Sequence, residues 1–451
     1  IISIITSLSC HLLKRQIRQR IGKVSCRGYA ERQTRGAFMN QILFEHTNRI
    51  VRQAIRAVQP DEAVQRALRG RAFSGRVVLV AAGKAAWQMA AAADDCLGSR
   101  IGAGIVITKY DHSKGAIADF EIWEAGHPVP DENSFAATQR AIELVSGLRK
   151  EDTVLFLLSG GGSALFEKPL IPGEQLQDIT NQLLACGADI TEINIIRKRL
   201  SAVKGGRFAE LCSPAQVFSI VLSDILGDPL DMIASGPACP DSSTGEQAAA
   251  VVRKYSLQLS PETEDLMRRE TVKSLLNVTT QITGSVRELC TAAAEACRSL
   301  GYEPIFLTDR LCCEAREAGS FLVSILKSHQ KDGRQLAFLA GGETVVHLTG
   351  HGKGGRNQEL ALAAAAGLEG MENAAVFSVG SDGTDGPTDA AGGYADGETM
   401  QELRAAGLDL YAVLQENDAY HALQKIGGLL ITGSTGTNVN DVAVALLNPN
   451  A

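Results

Sequence analysis

The chain has 451 residues, 45% of them hydrophobic, 21% charged and 5% aromatic, which is the make-up of a globular protein of two or three domains rather than of a disordered or fibrous one. The formal net charge of −7 holds no basic excess for nucleic acid, and no apolar run is long enough to cross a bilayer, so neither kind of partner is expected. The ten cysteines show no CxxC pair and no Cys/His ligand spacing; Cys96, Cys186, Cys212, Cys290 and Cys297 sit in helix-like or apolar surroundings and are expected as buried free thiols in a reducing compartment.

Residues 1–38 differ from the rest and are set apart as a leader. The first thirty carry Lys14, Arg15, Arg18, Arg20, Lys23 and Arg27, an apolar start, several serines and no acidic residue, the composition of a mitochondrial transit peptide. Arg27-Gly28-Tyr29-Ala30 resembles a matrix-protease cleavage pattern. The competing reading is a disordered tail on a cytoplasmic protein.

From residue 40 helix and strand patterns alternate, which predicts parallel α/β architecture. A helical stretch from Asn40 to about Leu68 leads into an apolar strand at 76–82, which Gly83 turns into a helix near Lys84. A strand at 103–108 follows, then the segment GHPVPDENS (126–134), a helix to about Leu148 and a strand at 153–158. Helices are predicted over roughly 174–186 and 190–211, with a buried strand at 217–222. The more polar stretch from Glu262 to Thr283 marks the domain junction, giving domains at 40–275 and 285–451. The second half reads as a helix at 286–300, a strand at 304–308 and a helix at about 314–328. Strands at 336–339 and 345–348 follow, then a helix from Asn357, a strand at 375–379 and a closing helical region.

Polar, glycine-rich loops follow several of these strands. Lys84 starts a helix after a strand–Gly turn, where free backbone N–H groups and the helix dipole favour an anion. Ser159-Gly160-Gly161-Gly162-Ser163 lets successive amides converge on one, although it matches neither a Walker A loop nor GxGxxG. The basic run in NIIRKRLSAVKGGR (194–207), with Arg197, Lys198 and Lys204, reads as a solvated helix face. Asp224 and Asp228 stand at a strand end around a glycine turn, where they suit Mg²⁺, a base for a hydroxyl, or turn capping. Gly341, Gly342 and Glu343 follow another strand. Arg356 and Asn357 open a helix after Gly354-Gly355, and an Arg fork there can grip a carboxylate or phosphate in two places. Asp382 and Asp385 put two further carboxylates on a glycine-rich turn, candidates for a metal other than calcium because the spacing misses the EF-hand loop. His127, His347, His351 and His421 lack metal-ligand spacing and read as structural or surface residues. One cleft lined by Lys, Arg, several Asp and exposed amides fits phosphoryl transfer, where catalysis is mostly positioning and charge neutralisation.

The ordered series GKAA, GHPVPDENS, LLSGGGSAL, NIIRKRLSAVKGGR, SDILGDPLDMIASGP, AGGETVV, GGRNQELAL, GSDGTDGPTDAAG and TGSTGTNVND resembles the class II glycerate kinases over about residues 42–448. The resemblance implies an N-terminal Rossmann-like domain, a C-terminal domain called MOFRL and an active site between them. It also implies D-glycerate and ATP as substrates, Mg²⁺, and 2-phosphoglycerate as product. The family's proposed catalytic Lys and Arg fall on Lys84 and Arg356, and the Asp of its SDxxGD motif on Asp224 or Asp228. Ser159 to Ser163, Gly341, Gly342, Glu343 and Asn357 are expected around the nucleotide and its phosphates, and Asp382 and Asp385 at the metal. Homodimers occur within such a reading. Val286, where the family usually carries Asn after Gly-Ser, departs from the pattern. The rivals are a hydroxypyruvate reductase-like oxidoreductase, against which stands the lack of a GxGxxG strand–helix turn with an acidic residue some twenty positions on, and a non-catalytic small-molecule-binding homologue.

Overall fold

The computed structural model of the chain describes residues 39–451. The leader assigned to residues 1–38, and its targeting role, lie outside them. Six parallel strands form the first sheet: β1 (Val77–Ala82), β2 (Ile101–Lys109), β3 (Glu121–Ala125), β4 (Thr153–Leu158), β5 (Gln216–Leu222) and β6 (Val278–Gly284), in the order β3-β2-β1-β4-β5-β6. The sequences of β1 and β4, VVLVAA and TVLFLL, are buried at every position, as expected of parallel strands covered by helices on both faces. The order reverses between β1 and β4, so the loops after these two strands flank the crevice where doubly wound sheets take ligands.

The polar stretch taken as the domain junction contains β6, which pairs with β5 from Val217↔Val278 onward, so the first domain runs to about residue 284 rather than 275. Its sequence, VTTQITG, is mostly half-buried, because an edge strand needs no continuous apolar run. The helix expected from Asn40 to Leu68 is two helices, Gln41–Ala57 and Pro60–Leu68, with Pro60 opening the second where its missing N–H costs nothing. The first of them belongs to the second domain's core. Leu43, Phe44, Ile50 and Val51 pack with Leu289, Phe377 and Tyr394, Phe44 lies edge-on to Tyr394 at 5.2 Å, and the Asn40 amide donates to Asp396 over 2.9 Å.

The second sheet is mixed rather than parallel. It comprises β7 (Glu303–Leu311), β8 (Leu336–Gly342), β9 (Ala374–Gly380), β10 (Gly392–Asp396), β11 (Leu429–Leu430) and β12 (Asp441–Leu447), ordered β11-β10-β9-β12-β8-β7. Only β7 and β8 pair in parallel; β12 lies antiparallel between β8 and β9. The strand expected at 345–348 is absent, Val345 making a single bridge to Glu314. β10 hides from pattern reading because it begins Gly392-Gly393. A Cβ at Gly392 would lie 1.8 Å from the Ser378 carbonyl oxygen, so close packing on β9 excludes a side chain there.

Between β4 and β6 a helical subdomain with its own apolar cluster, including Leu176, Ile179, Ile196 and Val251, sits beside the first sheet. Here the basic run contradicts its reading as a solvated face. Lys198 and Arg199 of helix Ile190–Leu200, and Lys204 beyond it, are 1%, 0% and 0% exposed. Lys198 bridges Asp231 and Asp241 at 3.1 and 3.0 Å, and Lys204 meets Glu167 at 2.5 Å. Cys212, Cys290 and Cys297 are buried free thiols as expected, but Cys96 and Cys186 are exposed. Among the described residues no helix is long and apolar enough to cross a membrane.

Candidate active site

The loops after β1, β4 and β5 converge. Backbone hydrogen bonds link them: the Lys84 amide donates to the Gly160 carbonyl at 2.9 Å, and the Ala85 amide to the Ser159 hydroxyl at 3.1 Å. Ser159, buried, therefore ties the two loops together rather than facing a ligand. Gly160 and Gly161 run where side chains cannot. A Cβ at Gly160 would lie 2.3 Å from Asp224 Oδ2, and one at Gly161 3.0 Å from His127 Cδ2 and 3.2 Å from Lys84 Cγ. Gly161 has φ +85°, a conformation glycine adopts without strain. Lys84, His127, Gly160, Gly161 and Asp224 thus form one cluster at the sheet's crevice.

The electrostatics follow from this packing. Burial raises the Asp224 carboxyl above the usual range, the nearby Lys84 charge lowers it, and Glu343 of the second domain raises it again. Burial and then the positive charge of Lys84 lower His127, so its imidazole is held neutral. His127, read from the sequence as structural, belongs to the site; its position at the end of β3, as the other first-sheet motifs follow their strands, was the available signal. Asp228, φ +51°, closes the following turn through its amide to the Ile225 carbonyl at 3.1 Å, and its Oδ1 has no hydrogen-bond partner among the described residues.

The second domain contributes a cation and its carboxylates. Arg356 heads helix Arg356–Leu368 and places its fork on Asp441, Nε to Oδ2 at 2.5 Å and Nη2 to Oδ1 at 3.1 Å, while Nη1 donates to Glu343 at 2.8 Å. Burial opposes the Arg356 charge, but the hydrogen bonds and charges of Asp441 and Glu343 outweigh it and hold the guanidinium above its ordinary range. Burial pushes the Asp441 carboxyl up, against the pull of Arg356. Asp441 went unread in the sequence because it closes TGSTGTNVND at the start of a strand, where nothing local marks it. Arg310 of β7 reaches across to the loop after β5, where a Cβ at Gly227 would lie 2.7 Å from its Nη2, and so sets the two halves of the site face to face.

Several of the residues expected at the ligand also carry internal structure. Gly341 and Gly342 lie within β8; a Cβ on Gly341 would lie 2.4 Å from Cys290 Sγ, and one on Gly342 2.1 Å from the Leu311 carbonyl oxygen. Asn357 is buried, its amide groups spent on Asp385 and its carbonyl on Ser378. Asp385 accepts the Asn357 and Gln358 backbone amides at 3.2 and 2.8 Å, capping the helix that Arg356 heads. Burial raises it to about 6. Asp382 accepts the Thr384 amide and lies near Asp441, their Oδ1 atoms 3.2 and 3.4 Å from the Cβ position of Gly380. Asp385 is thus engaged in a helix cap and Asp382 in the turn to Thr384, and among the described residues no group of three or more His, Cys, Asp or Glu is placed to hold an ion without further ligands.

The site can be set beside known proteins. Residues 46–268 match a domain of unknown function, and residues 336–441 match the MOFRL family. A D-glycerate 2-kinase of Thermotoga maritima is 54% identical over 404 residues, covering 88% of this chain and 97% of that protein. A putative hydroxypyruvate reductase of Agrobacterium vitis is 38% identical, covering 83% of this chain and 100% of that protein. The crystal structure of a glycerate kinase from Thermotoga maritima superposes with a TM-score of 0.87 at 53% identity, covering 90% of this chain and all of that one. With a MOFRL domain, this identity and coverage, and the motif series intact around a two-domain cleft, the chain belongs to the class II glycerate kinase family.

Proposed function

We propose that the protein transfers the γ-phosphoryl group of ATP to the 2-hydroxyl of D-glycerate, giving 2-phosphoglycerate and ADP. The observation that carries this reading is the cluster of Lys84 and Asp224 about the Gly160-Gly161 loop of one domain, with Arg356 held by Asp441 and Glu343 on the other and Arg310 closing the gap between them at Gly227. Lys84, on a loop rather than in packing, neutralises phosphate charge. Asp224, whose carboxyl burial raises, accepts the proton of the attacking hydroxyl as the new O–P bond forms and the bond to the ADP oxygen breaks. Asp224 rather than Asp228 takes this role because it touches the Gly160 loop beside Lys84. Arg356 stabilises the transferring group, and Asp441 fixes the angle of its fork.

Asp228, whose buried Oδ1 has no partner among the described residues, fits Mg²⁺, which takes one or two carboxylates together with substrate phosphates. Bound there, the ion would offset charge between the phosphates. Asp385, committed to a helix cap, does not fit it. The first thirty residues, with an apolar start, six basic residues and no acid, support import into mitochondria, which a reporter fused to residues 1–29 tests by its location.

The names of relatives divide between kinase and putative reductase. The second reading is weaker here, since the loop after β1 presents Gly83-Lys84 where a dinucleotide-binding turn would need GxGxxG. Two assays separate them. Glycerate-dependent ADP release with a phosphorus-NMR signal for the 2-phosphate supports the kinase. Oxidation of NADH by hydroxypyruvate without ADP release would overturn it.

A further inference from the structure

Beside the glycine loop lies a small recess lined by Pro130, Phe135, Ser163, Glu167, Leu176 and Arg197. Ser163 and Glu167 are four residues apart across the turn that follows Gly161-Gly162. Helix Ile190–Leu200 supplies Arg197, and Asn194 one turn earlier fixes that helix to the loop: Ser235 Oγ donates to Asn194 Oδ1 at 2.7 Å and lies 3.3 Å from Ser163 Oγ. Lys204 braces the other side, donating to the Ser163 carbonyl at 2.8 Å and to Glu167 Oε2 at 2.5 Å.

The polar inventory of this recess does not balance internally. Glu167 is 2% exposed, yet its Oε1 has no hydrogen-bond partner among the described residues. Arg197 is half-buried and has neither a hydrogen bond nor an ion pair among the described residues, and the charge of Glu167 offsets the cost of its burial. The unmet Glu167 oxygen is costly, and with the unpaired guanidinium beside it defines what fits. A carboxylate only accepts and would confront Glu167. An ammonium only donates and would confront Arg197. A hydroxyl does both, donating to Glu167 Oε1 while accepting from Arg197.

We propose that Arg197 and Glu167 recognise the substrate hydroxyl that is not phosphorylated, making the enzyme selective for a dihydroxy acid over its monohydroxy analogue. This rests on the kinase reading above, in which Lys84 and Asp224 take the other hydroxyl. The recess lies close to that site, since Ser163 in its lining is two residues beyond Gly161, where a Cβ would lie 3.0 Å from His127 and 3.2 Å from Lys84. The outer groove that shares Pro130 and Phe135 is lined by Asp131, Glu132, Glu174 and Asp178, so an anionic substrate is better admitted from the Lys84 side.

The test compares kcat/KM for D-glycerate and for D-lactate, which lacks the second hydroxyl, in the full-length protein. Wild type is expected to favour glycerate by on the order of 10⁴, as sites that hydrogen-bond a hydroxyl do. Arg197→Met should cut that ratio by about a hundredfold by lowering turnover of glycerate far more than of lactate, and Arg197→Lys should recover part of it. Glu167→Gln, which removes the countercharge of Lys204, serves as a second variant only where its melting curve shows a folded protein. A merely structural role would lower both substrates together and leave the ratio unchanged, which would overturn the proposal, as would a wild type indifferent to the second hydroxyl. Absence of ADP release with glycerate in wild type would instead defeat the underlying kinase reading.

Discussion

At the scale of single residues, the site divides into groups that face the cleft and groups that hold them. The Lys84 side chain makes no hydrogen bond or ion pair among the described residues, so Lys84→Ala should leave the melting temperature within about a degree or two while lowering kcat by on the order of 10²–10³; turnover like wild type would remove it from the site. Asp224 must be ionised to accept a proton, and its carboxyl is raised by burial. Activity should therefore fall as the pH drops through that raised value, giving an acidic limb above the ordinary carboxylate range, and Asp224→Asn should abolish both the limb and most turnover. Arg356 has two tasks, since its fork both faces the cleft and satisfies buried Asp441. Arg356→Lys keeps the charge but loses the two-pronged contact. Lower kcat with little change in KM for glycerate is expected, together with a stability loss of about 2 kcal/mol, read by urea unfolding; a large rise in KM at constant kcat would instead put the guanidinium on the substrate carboxylate.

Among the elements, the helix Ile190–Leu200 shows how a local pattern misleads. Three consecutive basic residues at 197–199 would ordinarily face water, yet Lys198 and Arg199 point into the subdomain, where Asp241 gathers bonds from Lys198, Ser243 and Thr271. Burial pushes the Asp241 carboxyl up, but the Thr271 and Ser243 hydrogen bonds and the Lys198 charge prevail and bring it to about 2. Because this folded-state value lies below the unfolded one near 3.9, the associated stability, roughly 2 kcal/mol, is present above about pH 4 and is lost as pH falls towards 2. Lys198→Met strands that buried charge and should cost about 3–5 kcal/mol at neutral pH, with the loss shrinking on acidification. An equal loss at pH 7 and pH 3 in equilibrium unfolding would show that packing, not charge, carries the effect.

For the molecule as a whole, the chain crosses between domains twice. The helix Gln41–Ala57 completes the second domain's core before the first domain begins. Residues 285–451 alone lack Leu43, Phe44 and Ile50, each worth roughly 1.5–3 kcal/mol when buried, against a total stability of about 5–15 kcal/mol for a domain. That fragment should show no cooperative thermal transition, and a peptide spanning residues 39–58 should restore one; cooperative unfolding without the peptide would contradict the shared core. The sequence by itself determined the alternation of strand and helix, the glycine loops after β1 and β4, and the family through motifs kept in order, because buried parallel strands and tight turns are written in local composition. It left the edge strand β6, the glycine-led β10 and the mixed pairing of the second sheet unread, since an edge needs no apolar run and pairing partners lie far apart in the chain. Only the tertiary structure set Asp224 rather than Asp228 against the Gly160 loop, tied Gly341, Gly342, Asn357 and Asp385 into the framework, and brought His127, Asp441 and Arg310 to the cleft. The reason is physical: whether a carboxylate caps a helix, pairs with a cation or faces a substrate depends on which atoms from distant segments come within about 3 Å of it, and no local pattern records that.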